Sequence, residues 1–149
     1  MANRGLLLTL TEPPSGMEEE FNAWYDTEHL PERLAIPGFR SARRWVSGKS
    51  YLATYELDSP EILTSKAYLE KFNNQTPWSR RCLGKCVVFK RWACEQLGSA
   101  DPHAQTRAVF LGRVAGALQV REFRSADKEE ILISELKTPR PGAFHAYEA

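Results

Sequence analysis

The sequence is poor in the side chains that usually announce a chemistry. Among 149 residues there are three cysteines and three histidines. The odd count of Cys82, Cys86 and Cys94 excludes a fully paired disulfide framework. Cys82 and Cys86 have no histidine close by to complete a zinc set, so the thiols read as reduced, small apolar side chains. A reactive Cys82, its thiolate favoured by Arg80 and Arg81, is the alternative. Charge of one sign is also missing. Against 20 basic residues stand 19 acidic ones, a net charge of +1, which gives no long-range pull towards nucleic acid or an anionic membrane. No apolar run approaches the ~20 residues of a membrane span. Leu6-Leu7-Leu8 is short and broken by Thr9, and the start of the chain lacks the basic-then-apolar layout of an export signal. A cytoplasmic protein whose partner is a small molecule, with no nucleic acid and no membrane, is the expectation. No glycine-rich phosphate loop, Ser-His-Asp set or metal-ligand spacing is present.

What is there is a chain of 42% hydrophobic residues, enough for a core, with strong punctuation. Gly5 to Glu12 reads as a strand apolar on both faces, ended by Pro13-Pro14-Ser15-Gly16. A helix follows from Met17 to His29, with Met17, Phe21, Trp24 and Glu28 on one stripe and three acids in its first turn. Pro31 predicts a break at Leu30, which turns Glu28 towards the sheet and His29 towards a cavity mouth. Phe39 to Val46 and Tyr51 to Leu57 are strands joined by a tight turn at Gly48-Lys49, so that Val46 pairs with Tyr51. That register puts Ser41, Arg43, Trp45, Leu52, Thr54 and Glu56 on one face. Ser59-Pro60 starts a helix to Asn73, and Thr76-Pro77 starts a short second one. Lys85 to Leu97 is a long strand.

The order strand, helix, strand, strand, helix, strand predicts an α+β fold, the ferredoxin-like split βαβ arrangement with an antiparallel sheet. Both helices cover one face, and the other, carrying tryptophan and leucine, needs a cover. A second copy packed face to face, a homodimeric α+β barrel, supplies it. Residues 1–97 form this domain. Residues 98–149 form a C-terminal β-rich extension, expected on the sheet edge or the partner subunit. In it, Ile131 to Pro139 echoes Leu6 to Pro13, and Ala143 to Glu148 faintly echoes Glu20 to Asp26. The echoes suggest either an incomplete second repeat or chance.

The run Trp24-Tyr25-x-x-Glu28-His29-Leu30-Pro31, then Ile36-Pro37-Gly38-Phe39 and Ala42-Arg43-Arg44, resembles the EthD-like branch of the dimeric α+β barrel superfamily. Tyr51 to Leu57 and Thr76 to Arg81 fit the same pattern. The likeness covers Leu6 to Trp92. It implies a barrel made by two chains, and relatives that include cofactor-free oxygenases, isomerases, polyketide cyclases, dehydratases and proteins without established activity. It also marks His29 as the candidate catalytic residue. Fold alone does not choose among these chemistries.

His29 is either a proton-transfer group, since imidazole titrates near neutrality, or a cap on the carbonyls of the helix end. Glu28 is either an acid-base partner with a pKa raised by burial or a carboxylate that pairs with Arg43 or Arg44 and ties helix to sheet. Tyr25, one turn before His29, either donates to a substrate oxygen or packs. Arg43 either holds a carboxylate or enolate oxygen or bridges to Glu56. Trp24, Trp45, Trp78 and Trp92 line a binding site or fill the core. Together these residues predict a cofactor-independent acid-base enzyme, a dehydratase, isomerase or cyclase, acting on a hydrophobic oxygenated molecule in the barrel cavity. A cofactor-free monooxygenase and a non-catalytic dimeric small-molecule-binding protein are the alternatives.

Overall fold

The computed structural model describes residues 3–148. In chain order the elements are β1 (Gly5–Glu12), α1 (Glu18–Trp24), a π-helical turn (Tyr25–His29), α2 (Leu30–Leu34), β2 (Phe39–Ser47), β3 (Ser50–Leu57), a 3-10 turn (Pro60–Thr64), α3 (Lys66–Asn73), α4 (Pro77–Gly84), β4 (Val88–Leu97), β5 (Ala108–Leu111), β6 (Gln119–Ser125), β7 (Glu130–Leu136) and β8 (Phe144–Ala146). The strands close into one barrel in the order β1-β3-β2-β8-β5-β7-β6-β4, with every pairing antiparallel.

The expected ferredoxin-like protomer, completed into a dimeric α+β barrel by a second copy, does not hold. The chain closes an eight-stranded β-barrel by itself. The segment beyond Gly98 supplies four strands, and its Val109, Phe123 and Ile133 pack on Leu6, Leu8, Trp45 and Leu52. The apolar sheet face that called for a second copy is thus covered from within.

β1 is buried along nearly its whole length because its two faces serve two cores. Leu6 and Leu8 point into the barrel. Leu7 points outward, under the helices, into a cluster with Phe21, Trp24, Tyr25 and Tyr55. The β2–β3 hairpin has the expected register, Val46 opposite Tyr51 and Ser47 opposite Ser50, with Gly48 at φ 58° in the turn, a conformation that glycine adopts without cost.

Eight strands leave an interior that side chains just fill. Here one part is apolar and the other polar. In the polar part Arg121 donates to Glu56 Oε1 at 2.6 Å, to Gln96 Oε1 at 3.1 Å and to Glu135 Oε2 at 3.4 Å. The unusually polar face of the hairpin thereby gains a partner.

Two smaller expectations are also corrected. Ser65, in an extended conformation, divides the expected helix from Ser59 to Asn73 into a 3-10 turn and α3. The tail segment that echoes the first helix contains strand β8 instead. No helix among the described residues is long and apolar enough to cross a membrane.

Candidate functional site

The expected break at Leu30 is absent, and the helical path runs on from Glu18 to Leu34 through the π-turn. The N–H of Leu30 donates to the carbonyl of Tyr25, five residues back. Pro31 brings no N–H, and its ring crowds the carbonyl four residues before it. A widened turn ahead of the proline relieves that crowding without ending the helix. The turn also reorients the two residues expected to diverge. His29 faces the outer wall of the barrel and is buried, while Glu28 points away to the start of α4.

The His29 ring stacks on Trp24 at 4.5 Å and meets Tyr25 edge-on at 4.9 Å. Burial, then the positive charges of Arg33 and Arg44, push its pKa down from 6.5 to about 3. The imidazole is therefore neutral at neutral pH, and no described residue hydrogen-bonds to it. It lines a cavity of ≈50 Å³ between the helices and the barrel, together with Tyr25, Tyr55, Thr9, Arg33 and Arg91. The Tyr25 and Tyr55 hydroxyls lie 2.9 Å apart, and Thr9 Oγ1 is 3.5 Å from the Tyr25 oxygen. Burial and the neighbouring Tyr25 hold the Tyr55 pKa well above the ordinary tyrosine value, so the Tyr55 phenol keeps its proton. Either hydroxyl of the pair can be the donor to the other. Phe72 and Phe89, both about half exposed, stand at the mouth.

Among the described residues Glu28 pairs with neither Arg43 nor Arg44, which donate to the Thr106 carbonyl and to Asp26. The Glu28 Oε2 accepts from Thr76 Oγ1 at 2.7 Å, Trp24 Nε1 at 2.9 Å and Ser79 Oγ at 3.2 Å, tying the π-turn to the N-terminus of α4. Trp78, on α4, packs on the rim of the helix-side core.

Arg43 and Trp45 lie on the opposite side of the sheet. Their side chains face the barrel interior, where the Arg43 guanidinium sits 4.2 Å over the Trp45 ring and donates to the Thr106 carbonyl at 2.9 Å. They line a cavity of ≈100 Å³ with Thr54, Glu56, Arg121 and Glu135. Trp92 borders another opening, beside Leu8 and Ile131. The structure thus brings Trp24, Tyr25 and His29 together, sets Glu28 and Trp78 behind them, and separates Arg43, Trp45 and Trp92 from them by the thickness of the sheet.

Sequence reasoning missed Tyr55, Arg33 and Arg91. Two of these left a signal. Arg33 follows His29 by four residues, the spacing of one helix face, and Tyr55 falls on the outward face of the hairpin register. Arg91 left none. Arg44, expected only as a possible partner of Glu28, lies between the rings of Tyr25 at 4.1 Å and Tyr147 at 4.3 Å and donates to Asn22 at 2.7 Å, so it fixes the π-turn against the chain's tail. Burial pushes the Cys82 thiol up to about 11, which opposes the thiolate that a reactive Cys82 needs. Among the described residues no three histidine, cysteine, aspartate or glutamate side chains gather as a metal-ligand set. The chain matches no protein-family model and no curated protein, so the EthD-like resemblance rests on the motif residues alone.

Proposed function

We propose that the cavity between the helices and the barrel wall is a proton-transfer site for a hydrophobic, oxygenated small molecule. The observation that carries the proposal is a neutral, hydrogen-bond-free His29 facing the same cavity as the Tyr25–Tyr55 hydroxyl pair. The ring packs on Trp24 and Tyr25 while lining the cavity, and a proton-transfer side chain held in a cleft in this way is a functional-site candidate. With a carbonyl oxygen at the hydroxyl pair, the negative charge that develops on the substrate offsets the burial and the two cations that depress the basicity of His29, and the imidazole removes a proton from the adjacent carbon. The electron pair moves onto the oxygen, the tyrosine proton stabilises the enolate, and the imidazolium returns a proton. These steps need only residues already present.

The test uses benzylacetone and phenylpyruvate, two phenyl-tailed carbonyl compounds with exchangeable protons beside the carbonyl. Incubated in deuterium oxide with the protein, at least one is expected to take up deuterium faster than in buffer. His29→Ala should return that rate to the buffer level, and Tyr55→Phe should lower it by about 10²-fold. Unchanged exchange in His29→Ala, or no acceleration by the wild type with either compound, would contradict the proposal.

A further inference from the structure

We infer that the molecule taken by this cavity carries an anionic head, a carboxylate or its equivalent, read by Arg33 and Arg91. The inference rests on the reading that the helix-side cavity, and not the barrel interior, is the ligand site.

The charge balance of the two cavities differs. Arg43 and Arg121 in the barrel interior are matched there by Glu56 and Glu135. Among the described residues the helix-side cavity is lined by Arg33 and Arg91 and by no carboxylate. Arg33 is only 5% exposed. Its one ion pair among the described residues is a long 3.5 Å contact with Glu32, which lies outside the lining. A guanidinium so deeply placed calls for more compensation than this. Its planar fork suits a carboxylate.

Arg91 is exposed and folds over the mouth. It donates to the Tyr68 hydroxyl at 2.9 Å, with its guanidinium 5.6 Å over the Phe72 ring. Phe72 stacks on Tyr68 with ring centres 5.8 Å apart, and Arg33 lies 5.5 Å and Arg91 5.9 Å from the centre of the Tyr68 ring. The two cations therefore flank one aromatic, one inside the cavity and one at its entrance.

Size sets the rest of the ligand. A cavity of ≈50 Å³ admits a head of a few atoms. Any apolar body must lie outward between Phe72 and Phe89, the exposed aromatics of the mouth. The ligand class is thus an anionic head, such as a carboxylate or keto acid, on an aromatic or aliphatic tail.

Hydrocinnamate and its neutral amide, hydrocinnamamide, test this by NMR titration of the labelled protein, reading the His29 imidazole and Trp24 indole signals. Hydrocinnamate is expected to shift both saturably and to bind about tenfold or more tightly than the amide. Arg33→Met should abolish that preference, Arg33→Lys should keep part of it, and Arg91→Gln, at an exposed position that leaves folding intact, should reduce it. Equal binding of acid and amide by the wild type would overturn the anionic head while leaving the cavity as the ligand site. So would a preference unchanged in both Arg33→Met and Arg91→Gln. Shifts of neither signal with either compound, with shifts confined to barrel-interior residues, would overturn the reading of the cavity itself.

Discussion

At the scale of single residues, His29 carries a consequence for stability as well as for chemistry. Folding lowers its pKa from 6.5 to about 3, so the unfolded chain binds its proton more tightly. Its contribution is fully favourable above pH 6.5 and is lost as pH falls towards 3, by about 1.4 kcal/mol per pH unit in that window. Urea unfolding of the wild type at a series of pH values should show this slope. His29→Phe, which keeps the stack on Trp24, should flatten it by about one proton; an identical slope in the variant would place the titration elsewhere. Glu28 gives a second residue-scale outcome. Glu28→Ala removes three accepted hydrogen bonds and should cost about 1–3 kcal/mol of stability, measured by urea unfolding, while deuterium exchange into the carbonyl probes persists.

The sequence made these two residues visible together and turned Glu28 towards the sheet, whereas in the structure His29 faces the sheet and the cavity and Glu28 points to the start of α4. The motif around Trp24, Tyr25, Glu28 and His29 was legible as a concentration of polar groups on a helix. Which of the pair faced the sheet depended on the local helical pitch, and a proline signals strain without saying whether the helix will break or widen.

At the scale of elements, the π-turn and strand β8 decide the geometry. β8 is only three residues long, yet it pairs with β2 on one side and β5 on the other. Tyr147 just beyond it stacks on Arg44, and its N–H donates to the Arg44 carbonyl at 2.9 Å. Ending the chain before Phe144 should uncover the edges of β2 and β5, lower the unfolding midpoint and promote self-association, as light scattering would report. A truncated chain that stays monomeric with an unchanged midpoint would show that β8 is dispensable. The hairpin register of β2 and β3 was legible because Gly48-Lys49 fixes the turn and alternation does the rest. β8 was not, because three residues carry no periodicity, and its sequence likeness to the first helix pointed to the wrong secondary structure.

At the scale of the molecule, the barrel consists of two halves with one connectivity. β4-β1-β3-β2 and β8-β5-β7-β6 run in the same internal order, and the halves meet at β2–β8 and β4–β6. The repeat aligns β5 with β1 and β7 with β3, whereas the sequence echo aligns the β7 segment with β1. Among the described residues the helices occur only in the first half, between β1 and β2 and between β3 and β4. The helix-side cavity is consequently present once. Arg121 of the second half bonds to Glu56 of the first across the interior. Breaking this buried network with Arg121→Met should cost about 3–5 kcal/mol, measured by urea unfolding. The first half's strand and helix order was legible from periodicity and proline punctuation. The closure of the barrel was not, because which surface covers an apolar sheet face is a long-range choice that alternation does not encode.

The two faces of the first half offer rival positions for chemistry, His29 under the helices and Arg43 inside the barrel, and one comparison separates them. Deuterium uptake by the carbonyl probe that responds to the wild type should fall to the buffer rate in His29→Gln and stay near the wild-type rate in Arg43→Met. Exchange that survives in His29→Gln and disappears in Arg43→Met would contradict the account.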